Sequence, residues 1–198
     1  MIYIDKITVA VFIQNKKWKK TKNVFFKGEA FHGKTLASSF DDKDSIKTVL
    51  EVLEAAVETK APLQNIGAEG IIISDDKTKI LFMPQEFFYT ASTYLEEEDS
   101  ALSNGFYINR NLSRECAIRF TQAVIIYKFL ADKFPYEAKN QRERTEDQRD
   151  KNFIPLKELI SNCSSSVLKF TQKALSGKDC IFPAEKVFTE IEKSNTLI

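Results

Sequence analysis

From Lys6 to Gln14 apolar and polar positions alternate, with Ile7, Val9, Val11 and Ile13 on one face. A period of two in β-branched residues is the pattern of a half-buried strand. A polar turn over 15–22 and a second apolar run over 24–31 complete a hairpin, with His32-Gly33 ending the second strand. From Asp44 the period changes. Ile46, Val49, Leu50, Leu53 and Val57 recur at helical spacing, so residues 44–60 read as an amphipathic helix with one buried stripe. Asp41, Asp42 and Asp44 put negative charge where the helix dipole favours it. Lys60-Ala61-Pro62 stops the helix, because proline has no N–H for the next backbone bond.

After a loop over 61–70 the apolar run Ile71-Ile72-Ile73, the polar turn Ser74-Asp75-Asp76-Lys77 and a second run Ile80-Leu81-Phe82 predict another pair of strands. Pro84 breaks that pattern, and Met83 to Phe106 reads as a long irregular segment carrying the charge run Glu96-Glu97-Glu98-Asp99 and the turn Asn104-Gly105. Ser113 then caps a helix running to about Lys133. Its apolar positions, among them Cys116, Ile118, Phe120, Val124, Ile125 and Phe129, cover most of the circumference, which predicts a central helix wrapped by others. Over 137–152 the basic residues Lys139, Arg142, Arg144, Arg149 and Lys151 are matched by Glu137, Glu143, Glu146, Asp147 and Asp150, so the stretch reads as a solvated loop or short surface helix. Pro155-Leu156 begins a helical tail, with further amphipathic helices over 167–175 and 184–193. The expected fold is α+β: a small β-rich region over residues 1–40, then a mainly helical domain over 41–198.

Composition narrows the function classes. With 43% hydrophobic residues and 16 Phe in 198 residues, the chain has the means for a sizeable core. Lys and Arg total 29 against 28 Asp and Glu, a balance that predicts no general attraction to nucleic acid or to anionic membrane. The stretch from Cys116 to Leu130 contains Arg119, Gln122 and Lys128, and is too short and too charged to span a bilayer. The first residues, Met1 to Lys6, lack the basic and apolar regions of a signal peptide, so a soluble, cytoplasmic protein without a membrane partner is expected. Cys116, Cys163 and Cys180 have no metal-ligand spacing and form no disulfide framework, and Cys116 is expected to act as a small core hydrophobe.

Candidate chemistry is sparse. Lys16, Lys17, Trp18, Lys19 and Lys20, with Lys22, read as a solvated hairpin tip whose lysines discourage edge pairing; the alternative is a nucleic-acid or phosphate patch with Trp18 stacking on a base. His32, the single histidine, is expected on the surface. The run Glu96–Asp99 fits no calcium loop and reads as a solvated face or a contact for a basic partner. In the loop before Ile71, Gly67 and Gly70 are expected to serve a tight turn needing positive φ, with close backbone approach to a ligand as the alternative. The Phe-rich strip Phe25-Phe26, Phe31 and Phe40 is expected in the core, with partial exposure to a partner as the alternative.

This order of elements resembles that of one known family. Val124 to Tyr136, an aliphatic run followed by Tyr127, apolar positions, a short turn and Pro135-Tyr136, resembles the end of the F helix in the large lobe of eukaryotic-type protein kinases. The helix, loop and paired strands of 44–82 resemble that family's E helix, catalytic loop and following strands. Pro155-Leu156 with 168–175 resembles the approach to the H helix, and Phe182 to Phe188 the start of the final helix. The likeness covers about residues 41–193 and rests on order, spacing and apolar pattern.

Laying Glu69-Gly70-Ile71-Ile72 on the family's Glu-Asn-Ile-Leu puts Asn65 where the catalytic aspartate belongs, Gly67 where the loop lysine belongs and Gly70 where the metal-binding asparagine belongs. Met83-Pro84-Gln85 stands in place of Asp-Phe-Gly, Ile118 in place of the buried F-helix aspartate, and Phe182 in place of the arginine that pairs with Ala-Pro-Glu, a triplet absent upstream. An amide does not accept the substrate proton as a carboxylate does, and a thioether is the wrong ligand for a hard cation. The N-terminal region is too short for a full small lobe and has no glycine-rich nucleotide loop. The resemblance therefore implies a kinase-like fold emptied of catalysis, with no cofactor and no metal, acting as a protein-interaction or scaffolding module. Two alternatives stay open: an enzyme using Glu69, Asp75 or Asp76, and a nucleic-acid-binding domain using the Lys16–Lys22 tip.

Overall fold

A small antiparallel sheet followed by mainly helical structure makes this an α+β fold. The computed structural model describes residues 31–60, 67–83 and 104–194. The expected hairpin over 6–14 and 24–31 lies, apart from Phe31, outside the described residues.

The sheet contains β1 (Gly33–Thr35), β2 (Ile71–Ser74) and β3 (Ile80–Phe82), in that spatial order. Ile71 pairs with Phe82 and Ile73 with Ile80, as the two apolar runs predict. The third strand differs from expectation. Gly33 opens a strand instead of closing one: Gly33, Lys34 and Thr35 pair with Ser74, Ile73 and Ile72, covering the edge that β2 would otherwise present. Along β2 burial alternates, with Ile71 and Ile73 in the core and Ile72 and Ser74 half-buried, the period-two signature of a strand with one face packed.

The first helix, α1 (Lys43–Glu58), buries Ile46, Val49, Leu50, Leu53 and Ala56 on one stripe. Each buried Ile, Val or Leu side chain on that stripe is worth about 1.5–3 kcal/mol. Thr59 caps its C-terminus and Lys60 follows at φ 54°, a left-handed residue that ends the helix before the proline does. At the other end Asp42 Oδ1 accepts from the Asp44 N–H at 3.1 Å and Oδ2 from the Ser45 hydroxyl at 2.8 Å. Lys77, in the β2–β3 turn, lies 2.7 Å from Asp42 Oδ2 and so ties the helix start to the sheet.

The hydrogen bond from Lys77, with those from Ser45, holds the Asp42 carboxyl down at about 2. Its ordinary value is 3.8, so the stabilisation is fully present above that pH and is lost as pH falls through about 2. Asp42→Ala is expected to lower stability by about 1 kcal/mol at neutral pH, the usual worth of an N-cap. Urea unfolding at pH 7 and pH 2.5 checks this: the gap between the two proteins narrows at the lower pH, and an unchanged gap contradicts the assignment.

The central helix, α2 (Arg114–Ala131), buries every side chain from Ala117 to Tyr127. It packs against α1, α4 (Ser165–Leu175) and α5 (Ala184–Lys193), which gives it the central place its all-round apolar pattern predicts. Ser113 occupies the N-cap position, but its hydroxyl makes no capping bond; only its carbonyl engages, accepting from the Ala117 N–H at 2.8 Å. Cys116 is partly exposed rather than a core residue. The charged stretch forms the surface helix α3 (Gln141–Asp150), with Gln148 as its buried side chain. Phe182 is buried and meets Phe170 and Phe188 edge-on, at ring-centroid distances of 5.4 and 6.2 Å, linking α4 to α5. Phe40 packs partly buried against the core with its ring 6.2 Å from that of Tyr107. Among the described residues, no helix is long and apolar enough to cross a membrane.

Candidate functional site

The described end of the loop entering β2, residues 67–70, is closed by its own neighbours. A 3-10 turn over Ala68–Gly70 precedes the strand, with the Gly70 N–H donating to the Gly67 carbonyl at 2.9 Å. The buried Asn104 fills the space beside it, its Oδ1 accepting from the Glu69 N–H at 2.9 Å. A Cβ on Gly67 would stand 2.2 Å from the Asn104 carbonyl oxygen and 2.4 Å from its Oδ1. This corrects the expectation of a positive-φ turn: Gly67 has φ −87°, and Gly70 is likewise outside the left-handed region. Glycine stands at 67 because the Asn104 backbone passes too close for any side chain. On the far side, the Met83 N–H donates to the Gly70 carbonyl at 2.8 Å.

Of the residues singled out in this loop, Gly67, Glu69 and Gly70 are thus brought together, while Asn65 lies outside the described residues, as do Lys16, Lys17, Trp18, Lys19, Lys20 and Glu96 to Asp99. His32 is exposed. Glu69 stands at one end of β2 and Asp75 and Asp76 at the other, a strand of about 13 Å between them. Asp76 is committed to the turn: its Oδ1 accepts from the Ser74 hydroxyl at 2.6 Å, the Thr78 N–H at 3.1 Å and the Thr78 hydroxyl at 2.8 Å. Those bonds, the Ser74 one foremost, hold its carboxyl down at about 2. Burial pushes the Cys163 and Cys180 thiols up to about 11, so neither is a ready nucleophile near neutral pH. Among the described residues, no group of three or more His, Cys, Asp or Glu side chains is arranged to hold a metal ion.

A concave site lies elsewhere, between α3 and the segments 135–138 and 152–158. The cleft has a volume of about 570 Å³. Pro135, Ala138, Phe153, Ile154 and Pro155 supply apolar lining, and Glu137, Glu143, Glu146, Asp147 and Glu158 supply carboxylates. The Ile154 N–H donates to the Pro135 carbonyl at 2.9 Å and holds the two walls together. Below them the Tyr127 hydroxyl donates to the Ile154 carbonyl at 2.9 Å. Its phenol is pushed up to about 12, first by burial and then by Glu158 and Glu137.

Three of the carboxylates have partners. Glu143 accepts from the Lys139 N–H at 2.9 Å and from Asn140 Nδ2 at 2.8 Å, and its own N–H donates to Asn140 Oδ1 at 3.0 Å, which caps the start of α3. Glu146 pairs with Arg142 at 2.9 Å, and Asp147 accepts from Asn152 Nδ2 at 3.0 Å. Glu137 and Glu158 are exposed and have no ion-pair partner among the described residues. The charge count over 137–152 cancels, yet the charges separate in space. Residues 143, 146 and 147 share one helix face toward the cleft, while Arg149 pairs with Asp150. That segregation is readable from i, i+3 and i+4 spacing once the stretch is taken as a helix; the matching segments 135–138 and 152–158 are not.

No protein-family model matches this chain, and no curated protein sequence does.

Proposed function

We propose that this is a catalytically inactive, kinase-like cytoplasmic protein that works as an interaction or scaffolding module, and that the α3 cleft receives a lysine- or arginine-bearing segment of a protein partner. The reading is carried by the environment of Gly70 and Met83. These are the positions where the resembled family keeps its two magnesium ligands. They adjoin across one backbone hydrogen bond of 2.8 Å, and neither supplies a side-chain oxygen. The residues present do not fit a magnesium–nucleotide complex. The space over Gly67 is taken up by Asn104.

The cleft supports the partner chemistry. Its apolar lining suits the methylene stem of a lysine or arginine, and Glu137 and Glu158 meet the charged head. Both carboxylates are exposed, so their replacement leaves the core intact. Binding of a fluorescent oligolysine peptide is expected to weaken about tenfold in Glu137→Gln/Glu158→Gln at low ionic strength, from roughly 0.5–1 kcal/mol per exposed pair. Fluorescence anisotropy at two salt concentrations reads the effect. Equal affinity in the variant removes the cleft from the proposal. A saturable rise in melting temperature with ATP and magnesium contradicts the non-catalytic reading.

A further inference from the structure

On α3, Arg144 and Gln148 sit one turn apart and face Gly105 rather than the cleft; residues 104–106 are helical, where the sequence predicts a turn closing an irregular segment. Gln148 Nε2 donates to the Gly105 carbonyl at 3.4 Å. The Arg144 guanidinium lies directly on the Gly105 backbone: a Cβ there would fall 1.3 Å from Nη1 and 2.4 Å from Cζ. Glycine at 105 therefore gives the guanidinium its seat. Its Nε is buried and has no acceptor, and the side chain has no carboxylate partner among the described residues. Buried polar groups are almost always paired, and among the described residues Arg144 Nε is one of three side-chain exceptions, with Arg119 Nε and the Tyr136 hydroxyl.

The electrostatics point the same way. Burial, and after it the charge of Arg110, lower the Arg144 pKa, and no acidic group among the described residues offsets them. Every other arginine on α3 has a carboxylate: Arg142 has Glu146, and Arg149 has Asp150.

We infer that Arg144, seated on Gly105, anchors an oxyanion site whose ligand is a phosphate monoester or free phosphate. A planar guanidinium fork presents parallel donors that match two phosphate oxygens. The site is separate from the cleft and from the Gly67–Gly70 loop, and it stands whether or not those readings do.

The test is a titration of the full chain with sodium phosphate at constant ionic strength, read from the arginine Nε–Hε resonances. A saturable shift of the Arg144 signal is expected. Arg144→Gln should lower the apparent affinity by about tenfold or more, and Arg144→Lys should restore only part of it, because an ammonium cannot fork. A phosphoserine peptide with uncharged flanks forms the second arm. Tighter binding than inorganic phosphate assigns the site to a phosphorylated protein; equal or weaker binding assigns it to the free ion. No saturable shift at Arg144 in the native chain with either probe, or equal affinity in Arg144→Gln, overturns the inference. The titration of the native chain decides the matter even if the variant fails to fold.

Discussion

Replacing Glu54 by leucine is expected to destabilise the fold by about 3 kcal/mol, because it strips the charge partner from a buried arginine. Arg119 projects from the central helix, and its side chain is 6% exposed against 24% for Glu54. Its Nη1 donates to Glu54 Oε2 and, at 3.0 Å, to Gln122 Oε1, while Nη2 donates to Glu54 Oε1 at 3.0 Å. Gln122 Nε2 in turn donates to the Leu50 carbonyl and to Glu54 Oε2, both at 3.3 Å. The network stitches α1 to α2 along their shared seam. The asymmetry in burial sets which partner matters more. A lone Glu54 retains access to water, whereas a lone Arg119 keeps only Gln122 among the described residues, where its Nε already has no acceptor. Arg119→Met added to Glu54→Leu should recover most of the loss, since a well-packed apolar pair often equals a buried ion pair. Denaturant unfolding of the two single variants and the double variant closes the cycle, with a coupling of about 2 kcal/mol expected. A Glu54→Leu protein within experimental error of the native one would mean that water solvates Arg119.

The same residues show what a linear reading captures. Strict periodicities carry through to the fold: the α1 stripe, the all-round apolar α2, the hairpin of β2 and β3, and the two C-terminal helices are each fixed by local spacing. Arg119 and Gln122 do not. In the sequence they interrupt an apolar stretch, and their polarity counts against burial; in the fold they are buried because Glu54, 65 residues upstream of Arg119, meets them. Nothing local encodes that meeting. The strand at Gly33–Thr35 is hidden for a similar reason, since three residues with no apolar alternation owe their conformation to pairing with β2. The cleft escapes a tally of charges because the tally discards direction. Three of its carboxylates and Arg144 come from one ten-residue helix and diverge by face.

Gly67→Ala is expected to cost about 2–4 kcal/mol, combining an overpacking penalty with the loss of a buried hydrogen bond. The sign of this result decides between two accounts of the loop. At φ −87° and ψ −171° an alanine meets no backbone strain, and where space allows, such a replacement stabilises by about 0.4–1 kcal/mol by restricting the unfolded chain. Destabilisation therefore isolates the steric term. The offending atoms are the Asn104 carbonyl oxygen at 2.2 Å and its Oδ1 at 2.4 Å, and the first is backbone, which gives way least. Moving Asn104 aside also breaks its bond from the Glu69 N–H. Asn104→Ala, combined with Gly67→Ala, should restore only part of the loss, because it removes the side-chain contact and leaves the carbonyl in place. Thermal and urea unfolding of the three proteins measures this. An alanine at 67 that stabilises the chain would mean the loop has room over it. A ligand would then have a place to lie above Gly67–Gly70, and the non-catalytic reading would lose the support it draws from the filled space.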